Sequence, residues 1–280
     1  MAKQLENQLG YLPTRIVCLT TETVEVLYLL SEQDRIVGIS GYTTRPAEAR
    51  KEKPKVAAFT SAKIDKILAL KPDLVLGFSN LQADIAAELI KAGIEVHVFN
   101  QRSIEDVLRM ILTIGRLVGA QTKAQALVST YQNQINDALQ ASSRLPCRPT
   151  VYFEEWDEPM MCSIRWAADL IEIAGGEDCF PELTQFQSAG ERMVTPAQVL
   201  ARQPDIIIGS WCGKKFQAAQ VAARESWDEM PAVKNGFIFE IKSVDILQPG
   251  PSLFTHGLPQ LQTIIQQWAA TQGLTQRLRA

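Results

Sequence analysis

Short apolar runs without polar alternation recur along this chain, each followed by a segment with helical spacing. In the first half they predict strands over residues 15–19, 35–39, 74–78 and 95–99, with helices over 23–30 and 84–92. In the second half strands are expected over 150–153, 206–209 and 237–241, and a helix over 167–174 that ends at Gly175-Gly176. A run that stays apolar at every position is a strand covered on both faces, as in a parallel sheet between helices. Strand–helix alternation in each half therefore predicts an α/β fold of two lobes with central, mainly parallel sheets.

The two halves share a sentence. Ile67-Leu-Ala-Leu-Lys-Pro72-Asp73-Leu-Val-Leu-Gly77-Phe78 returns as Val199-Leu-Ala-Arg-Gln-Pro204-Asp205-Ile-Ile-Ile-Gly209-Ser210-Trp211. Each copy reads as a helix end, a Pro-Asp turn and an apolar strand, because proline cannot continue the helix and forces its predecessor toward extended geometry. Between the copies, segments 103–118 and 123–142 have helical spacing, with Leu127, Tyr131, Ile135 and Leu139 on one face. No Gly or Pro interrupts 123–142, so one rigid rod of about 30 Å is expected to join the lobes. The expected division is 1–120 for the first lobe, 121–145 for the connecting helix and 146–280 for the second lobe.

Composition narrows the function classes. A chain of 280 residues can build two cores, and 46% hydrophobic with 21% charged residues is ordinary for a globular protein. The net charge of −3 comes from interleaved acids and bases, unlike the concentrated basic face of a nucleic-acid binder. No apolar run reaches the ~18 residues of a membrane span. The first ten residues carry neither a basic start nor an apolar stretch, so the sequence as written is expected to stay in the cytoplasm, or in the periplasm or on the surface if a leader was removed. Five scattered cysteines, Cys18, Cys147, Cys162, Cys179 and Cys212, form no CxxC pair and suit a reducing compartment.

From about Arg15 to Trp268 the pattern resembles the helical-backbone class of substrate-binding proteins that serve ABC importers of vitamin B12, haem, ferric siderophores and some metals. In the first half the resemblance rests on residues 15–27, on Val37-Gly-Ile-Ser-Gly-Tyr42 and on Ile64-Asp-Lys-Ile-Leu-Ala-Leu-Lys-Pro-Asp. In the second half Asp157-Glu-Pro159-Met-Met, Ala174-Gly-Gly, Trp211-Cys-Gly-Lys214, residues 227–236 and Gln248-Pro-Gly-Pro251 sharpen it toward the cobalamin-binding branch. The resemblance implies a non-enzymatic protein that holds a corrinoid, or alternatively a ferric siderophore or haem, in a cleft between lobes. That ligand would be cargo, and no catalytic cofactor is implied.

In open α/β sheets ligands sit beyond the carboxyl ends of the strands. A corrin is a broad apolar disc edged with amides, so its site should offer flat aromatic walls and a few hydrogen-bonding groups. Tyr42, Phe59 and Phe78 match by position the aromatic cleft residues of the vitamin B12 binders, Phe standing twice where better-known members carry Trp. From the second lobe Glu155, Trp156, Trp166, Trp211, Cys212, Lys214 and Asp245 are the expected contacts, with Met160, Met161, Gln248 and Pro249 nearby. Phe78 and Trp211 end the two repeats and are expected to face each other across the cleft. Core packing is the plain alternative for Phe59, Phe78, Trp166 and the methionines. Lys214, Lys215 and Arg165 could neutralise an anionic siderophore or a phosphate.

An enzyme or assembly factor that modifies such a ligand would use Glu154 or Glu155 as its acid–base group. Consecutive strand residues point to opposite faces, however, and no histidine, serine elbow or phosphate loop accompanies the pair. A metal-ion site is not expected, since His97 and His256 stand alone. Importer partners of the resembled class dock through one acid on each lobe. Asp65 occupies the first position and Ala197 the second, so a cytoplasmic carrier, sensor or scavenger fits the residues as well as delivery to importer membrane subunits does.

Overall fold

The computed structural model describes residues 12–279, and the N-terminal segment read for a leader lies outside them. The chain divides into two compact units, one running through Gln101 and including Glu105–Thr130, the other comprising Arg102–Ile104 and the chain from Tyr131 onward.

In the first unit the chain runs β1 (Ile16–Cys18), α1 (Thr21–Leu29), β2 (Ile36–Ser40), α2 (Ala49–Glu52), β3 (Lys55–Ala57), α3 (Ile64–Ala69), β4 (Leu74–Phe78), α4 (Ala83–Lys91) and β5 (Val96–Phe99). The sheet order is β3-β2-β1-β4-β5, and every pairing is parallel. All the carboxyl ends therefore lie along one edge. The chain winds outward from β1 to β3, then returns to the far side of β1 with β4. That reversal makes a topological switch point between β1 and β4. Val17, Leu19, Val56, Ile67, Val75, Ile85 and Leu89 form a core beneath this sheet.

Helix α5 (Ile104–Leu117) and α6 (Gln121–Ser142) follow, with Gly119 at φ +74° in the turn between them. Helix α6 is unbroken over 22 residues, about 33 Å. It starts two residues earlier than expected because the turn after Gly119 leaves Gln121 free to open it.

In the second unit the order is β6 (Thr150–Glu154), β7 (Trp156–Asp157), β8 (Met160–Met161), α7 (Arg165–Ala174), β9 (Glu177–Asp178), α8 (Pro196–Arg202), β10 (Ile206–Gly209), α9 (Ala218–Ala222), α10 (Pro231–Lys234), β11 (Ile238–Glu240), α11 (Ser243–Ile246) and α12 (Leu258–Arg279). The main sheet, β11-β10-β6-β9, is again wholly parallel, with its switch point between β6 and β10. Strands β7 and β8 form a separate antiparallel hairpin. Tyr152, Ile207, Trp227 and Met230 lie at the centre of the core. The α/β reading with parallel sheets holds in both units.

The Pro-Asp repeat has a shared physical purpose. Asp73 accepts hydrogen bonds from the backbone N–H groups of Thr14 and Arg15 at 2.7 and 2.9 Å, and its own N–H donates to Arg15 O. Asp205 accepts from Thr150 N–H at 3.0 Å and donates to Thr150 O. Each aspartate thus fixes the start of the neighbouring strand, β1 or β6, and with it the register of the switch point. Among the described residues no helix is long and apolar enough to cross a membrane.

Candidate strand-end binding site

At the carboxyl edge of the first unit, β2 runs into a loop that presents Tyr42, 61% exposed. Arg50 on α2 holds that loop by donating to the carbonyls of Gly41 and Thr43 at 2.6 and 3.3 Å. After β3 comes Phe59, 37% exposed, its ring 6.4 Å from that of Phe78. Phe78 itself is buried, so the first repeat ends on a ring that backs Phe59 rather than on an open wall. Gln82, which carries no motif to single it out, ties these pieces together. Its Oε1 accepts from Phe78 N–H at 2.9 Å and its Nε2 donates to Phe59 O at 2.8 Å. Gly77 makes room for this amide, since a Cβ there would lie 2.9 Å from Gln82 Oε1.

Beside them, Glu22 lies buried in the first turn of α1, just after β1. Thr20 donates to it at 2.7 Å, and Thr21 and Gln101 approach at 3.4 and 3.5 Å. Burial pushes its carboxyl above the usual range against the pull of these donors.

The second unit builds its edge around an ion pair. Glu154 closes β6 with no exposed surface. Arg224 grips both its oxygens at 2.6 and 2.9 Å, and Tyr152 Oη and Trp211 Nε1 add donors at 3.0 and 3.1 Å. Burial works against the Arg224 charge, but the bonds and charge of Glu154 outweigh it and raise the guanidinium pKa. Glu155, in the bend between β6 and β7, pairs with a different arginine, Arg192, at 2.6 Å. Four donors fill the acceptor sites of Glu154, so it has no free oxygen for acid–base work.

Trp211 is only 3% exposed and stacks edge-on against Phe216, centroids 4.9 Å apart. Its indole N–H is held by Glu154 and its ring packs in the core. Trp166 is also interior, donating to Ile246 O at 3.0 Å; it pins α11 to α7. Asp245 is buried and accepts from Gln260 at 3.1 Å. Trp156 remains partly exposed in the hairpin, its Nε1 donating to Glu158 O at 2.8 Å. Cys212 and Lys214 are exposed. Met160 packs in the core, with Met161 partly buried beside it in the hairpin.

His97 lies against Phe99 with centroids 4.3 Å apart, and burial lowers its pKa. His256 is exposed beside Thr255 Oγ1 at 2.8 Å. Among the described residues no group of three or more His, Cys, Asp or Glu is arranged to hold a metal ion. The cysteines are free, and burial pushes the thiols of Cys18, Cys162 and Cys179 up to about 12, which leaves them unreactive. Asp65 is exposed in the first turn of α3, and Ala197 is exposed in α8.

Known proteins share this arrangement over most of the chain. An uncharacterised ABC transporter substrate-binding lipoprotein of Bacillus subtilis is 26% identical over 250 residues, covering 86% of this chain and 76% of that protein. A vitamin B12-binding protein of Vibrio parahaemolyticus is 22% identical over 241 residues, covering 85% and 84%. Among solved structures, the periplasmic haem-binding protein of Roseiflexus sp. RS-1 superposes with a TM-score of 0.78 at 20% identity, over 91% of this chain and 98% of that one. Residues 16–244, which carry both parallel sheets and both Pro-Asp turns, match the family described as periplasmic binding protein, and the chain belongs to that family.

Proposed function

We propose that this protein is a non-enzymatic carrier of a large flat ligand, a corrinoid foremost and haem or a ferric siderophore as the alternative cargo. The observation that carries the reading is the set of rings left open just beyond the parallel strands: Tyr42 and Phe59 after β2 and β3 in one unit, and Trp156 in the hairpin that follows β6 in the other. An apolar macrocycle is recognised by such surfaces, with few polar groups needed to orient it. Lys214 and Cys212 lie close in sequence to Trp211 and supply polar contacts at the rim. The relatives named for vitamin B12 and haem support the same ligand class.

Both glutamates of the acid–base alternative are held in ion pairs, which favours carriage over chemistry. The relative named a lipoprotein of an ABC transporter supports a place outside the cytoplasmic membrane and delivery to an importer. Asp65 would then be the docking acid of the first unit, while Ala197 leaves the second unit without one at the matching position.

Calorimetric titration of the purified protein with cyanocobalamin, haemin and a ferric hydroxamate tests the reading. At least one is expected to bind stoichiometrically, and Tyr42→Ala and Trp156→Ala are each expected to weaken it by roughly tenfold, the loss of one good stacking contact. No heat and no tryptophan quenching with any of the three would overturn it.

A further inference from the structure

We infer that the second unit carries an additional binding site, for a small organic ammonium, in a cavity beside the β7–β8 hairpin. The cavity has a volume of about 670 Å3 and is lined entirely by residues of this unit. Such a volume falls within the range of small-molecule pockets. Met160, Val194 and Leu200 supply apolar wall, and Glu158 and Glu225 stand exposed among the lining residues.

Asp157 decides the chemistry. It lines the cavity, and its side chain is only 5% exposed. One carboxylate oxygen, Oδ2, accepts from Lys214 Nζ, whereas Oδ1 has no hydrogen-bond partner. A buried acceptor left empty is costly, so this oxygen favours any donor that can reach it. Arg224 also lines the cavity, but both its terminal nitrogens are held by Glu154. The carboxylates of Asp157, Glu158 and Glu225 therefore outweigh the positive charge, and an anion is excluded.

An ammonium is already at home at this carboxylate. Lys214 Nζ lies 5.0 Å from the Trp211 ring centroid and 5.8 Å from that of Trp156, the arrangement of an aromatic cage around a cation. Lys214 is itself 40% exposed and follows Gly213, whose φ is +75° and whose surroundings are open. Its head group can thus leave toward water. The terminal torsion of an aspartate is broad, so the carboxylate can turn one oxygen to the cavity. A ligand ammonium would take that oxygen, with its alkyl stem along Met160, Val194 and Leu200. Lys214 then acts as an internal competitor for the same carboxylate.

Butylammonium is the probe, with butan-1-ol as its neutral match, titrated against the full chain and followed by calorimetry and by tryptophan fluorescence. Butylammonium is expected to bind and butan-1-ol to bind at least tenfold more weakly, the size of a charge-assisted hydrogen bond. Asp157→Asn is expected to reduce butylammonium affinity by the same factor, and Lys214→Met to raise it severalfold. Equal binding of the amine and the alcohol, or an unchanged affinity in Lys214→Met, would overturn the proposal even if Asp157→Asn failed to fold. Cyanocobalamin and haemin binding are measured separately in the same samples, so the carrier reading and this one can fail independently.

Discussion

The two copies of the Pro-Asp repeat begin alike and end differently. Asp73 and Asp205 do the same work, holding the start of β1 and of β6. Gly77 and Gly209 also serve one purpose, leaving space where a side chain crosses the strand. At the exits the chemistry parts. The first unit closes its switch point with a neutral amide, Gln82, and with Glu22 held among hydroxyls. The second uses a buried ion pair, Glu154 with Arg224, and recruits Trp211 to it. A neutral amide leaves neighbouring rings free to open outward, as Tyr42 and Phe59 do. A buried carboxylate must be surrounded by donors, and that requirement draws Trp211 inward.

The largest expected effect is at the ion pair. Arg224→Ala should cost about 3–5 kcal/mol, because it strands the buried Glu154. Gln82→Ala should cost about 1–3 kcal/mol, leaving the Phe78 N–H without its acceptor. Urea unfolding of the two variants measures both, and equal losses would dissolve the contrast between the units.

Buried acids without a cation come next. Asp178 on β9 accepts from Ser163 and from Phe180 N–H, yet burial raises its pKa from 3.8 to about 6. The folded state therefore holds this proton more tightly than the unfolded chain does. The stabilisation is complete below about pH 3.8 and is lost as pH rises through about 6, a total of about 3 kcal/mol. Unfolding midpoints across that window should show wild type losing stability relative to Asp178→Asn. Glu22→Gln should shift the same way in the first unit, its carboxyl being raised by burial too. A pH-independent difference in both would remove the argument from burial.

The smallest pair tests the glycines. A Cβ on Gly209 would come within 1.9 Å of the Phe216 ring, against 2.9 Å to the amide end of Gln82 for Gly77. Gly209→Ala should cost about 1–3 kcal/mol by overpacking, and Gly77→Ala less, since an amide end yields more readily than a packed ring. Thermal melts rank the two.

Much of the fold was legible because its signals are local. Proline, unalternating apolar runs and helical spacing mark β1, β4, β6, β10 and α6 within a residue or two. Strand β9 gave no signal, because Glu177-Asp178 is polar and pairs only through its backbone with Thr150 and Val151. The hairpin of β7 and β8 was equally silent, its two-residue arms being too short for a period. The site was less legible than the fold. Tyr42 stands open because Gly41-Tyr42-Thr43-Thr44 lacks a strand or helix pattern. Trp211 reads from sequence as a strand-end ring, and only the position of Glu154, 57 residues away, turns it inward. Arg224 is silent for the same reason, its partner Glu154 lying 70 residues away, and Gln82 is half so, bonding Phe78 four residues back but Phe59 23 residues back.

The carrier reading faces its most direct test in a spectrum. The protein is incubated with cyanocobalamin or haemin, passed through a desalting column, and its absorbance recorded. The account predicts that one chromophore travels with the protein at about one per chain, and that Tyr42→Ala combined with Trp156→Ala releases it. Protein that emerges colourless from both incubations would contradict it.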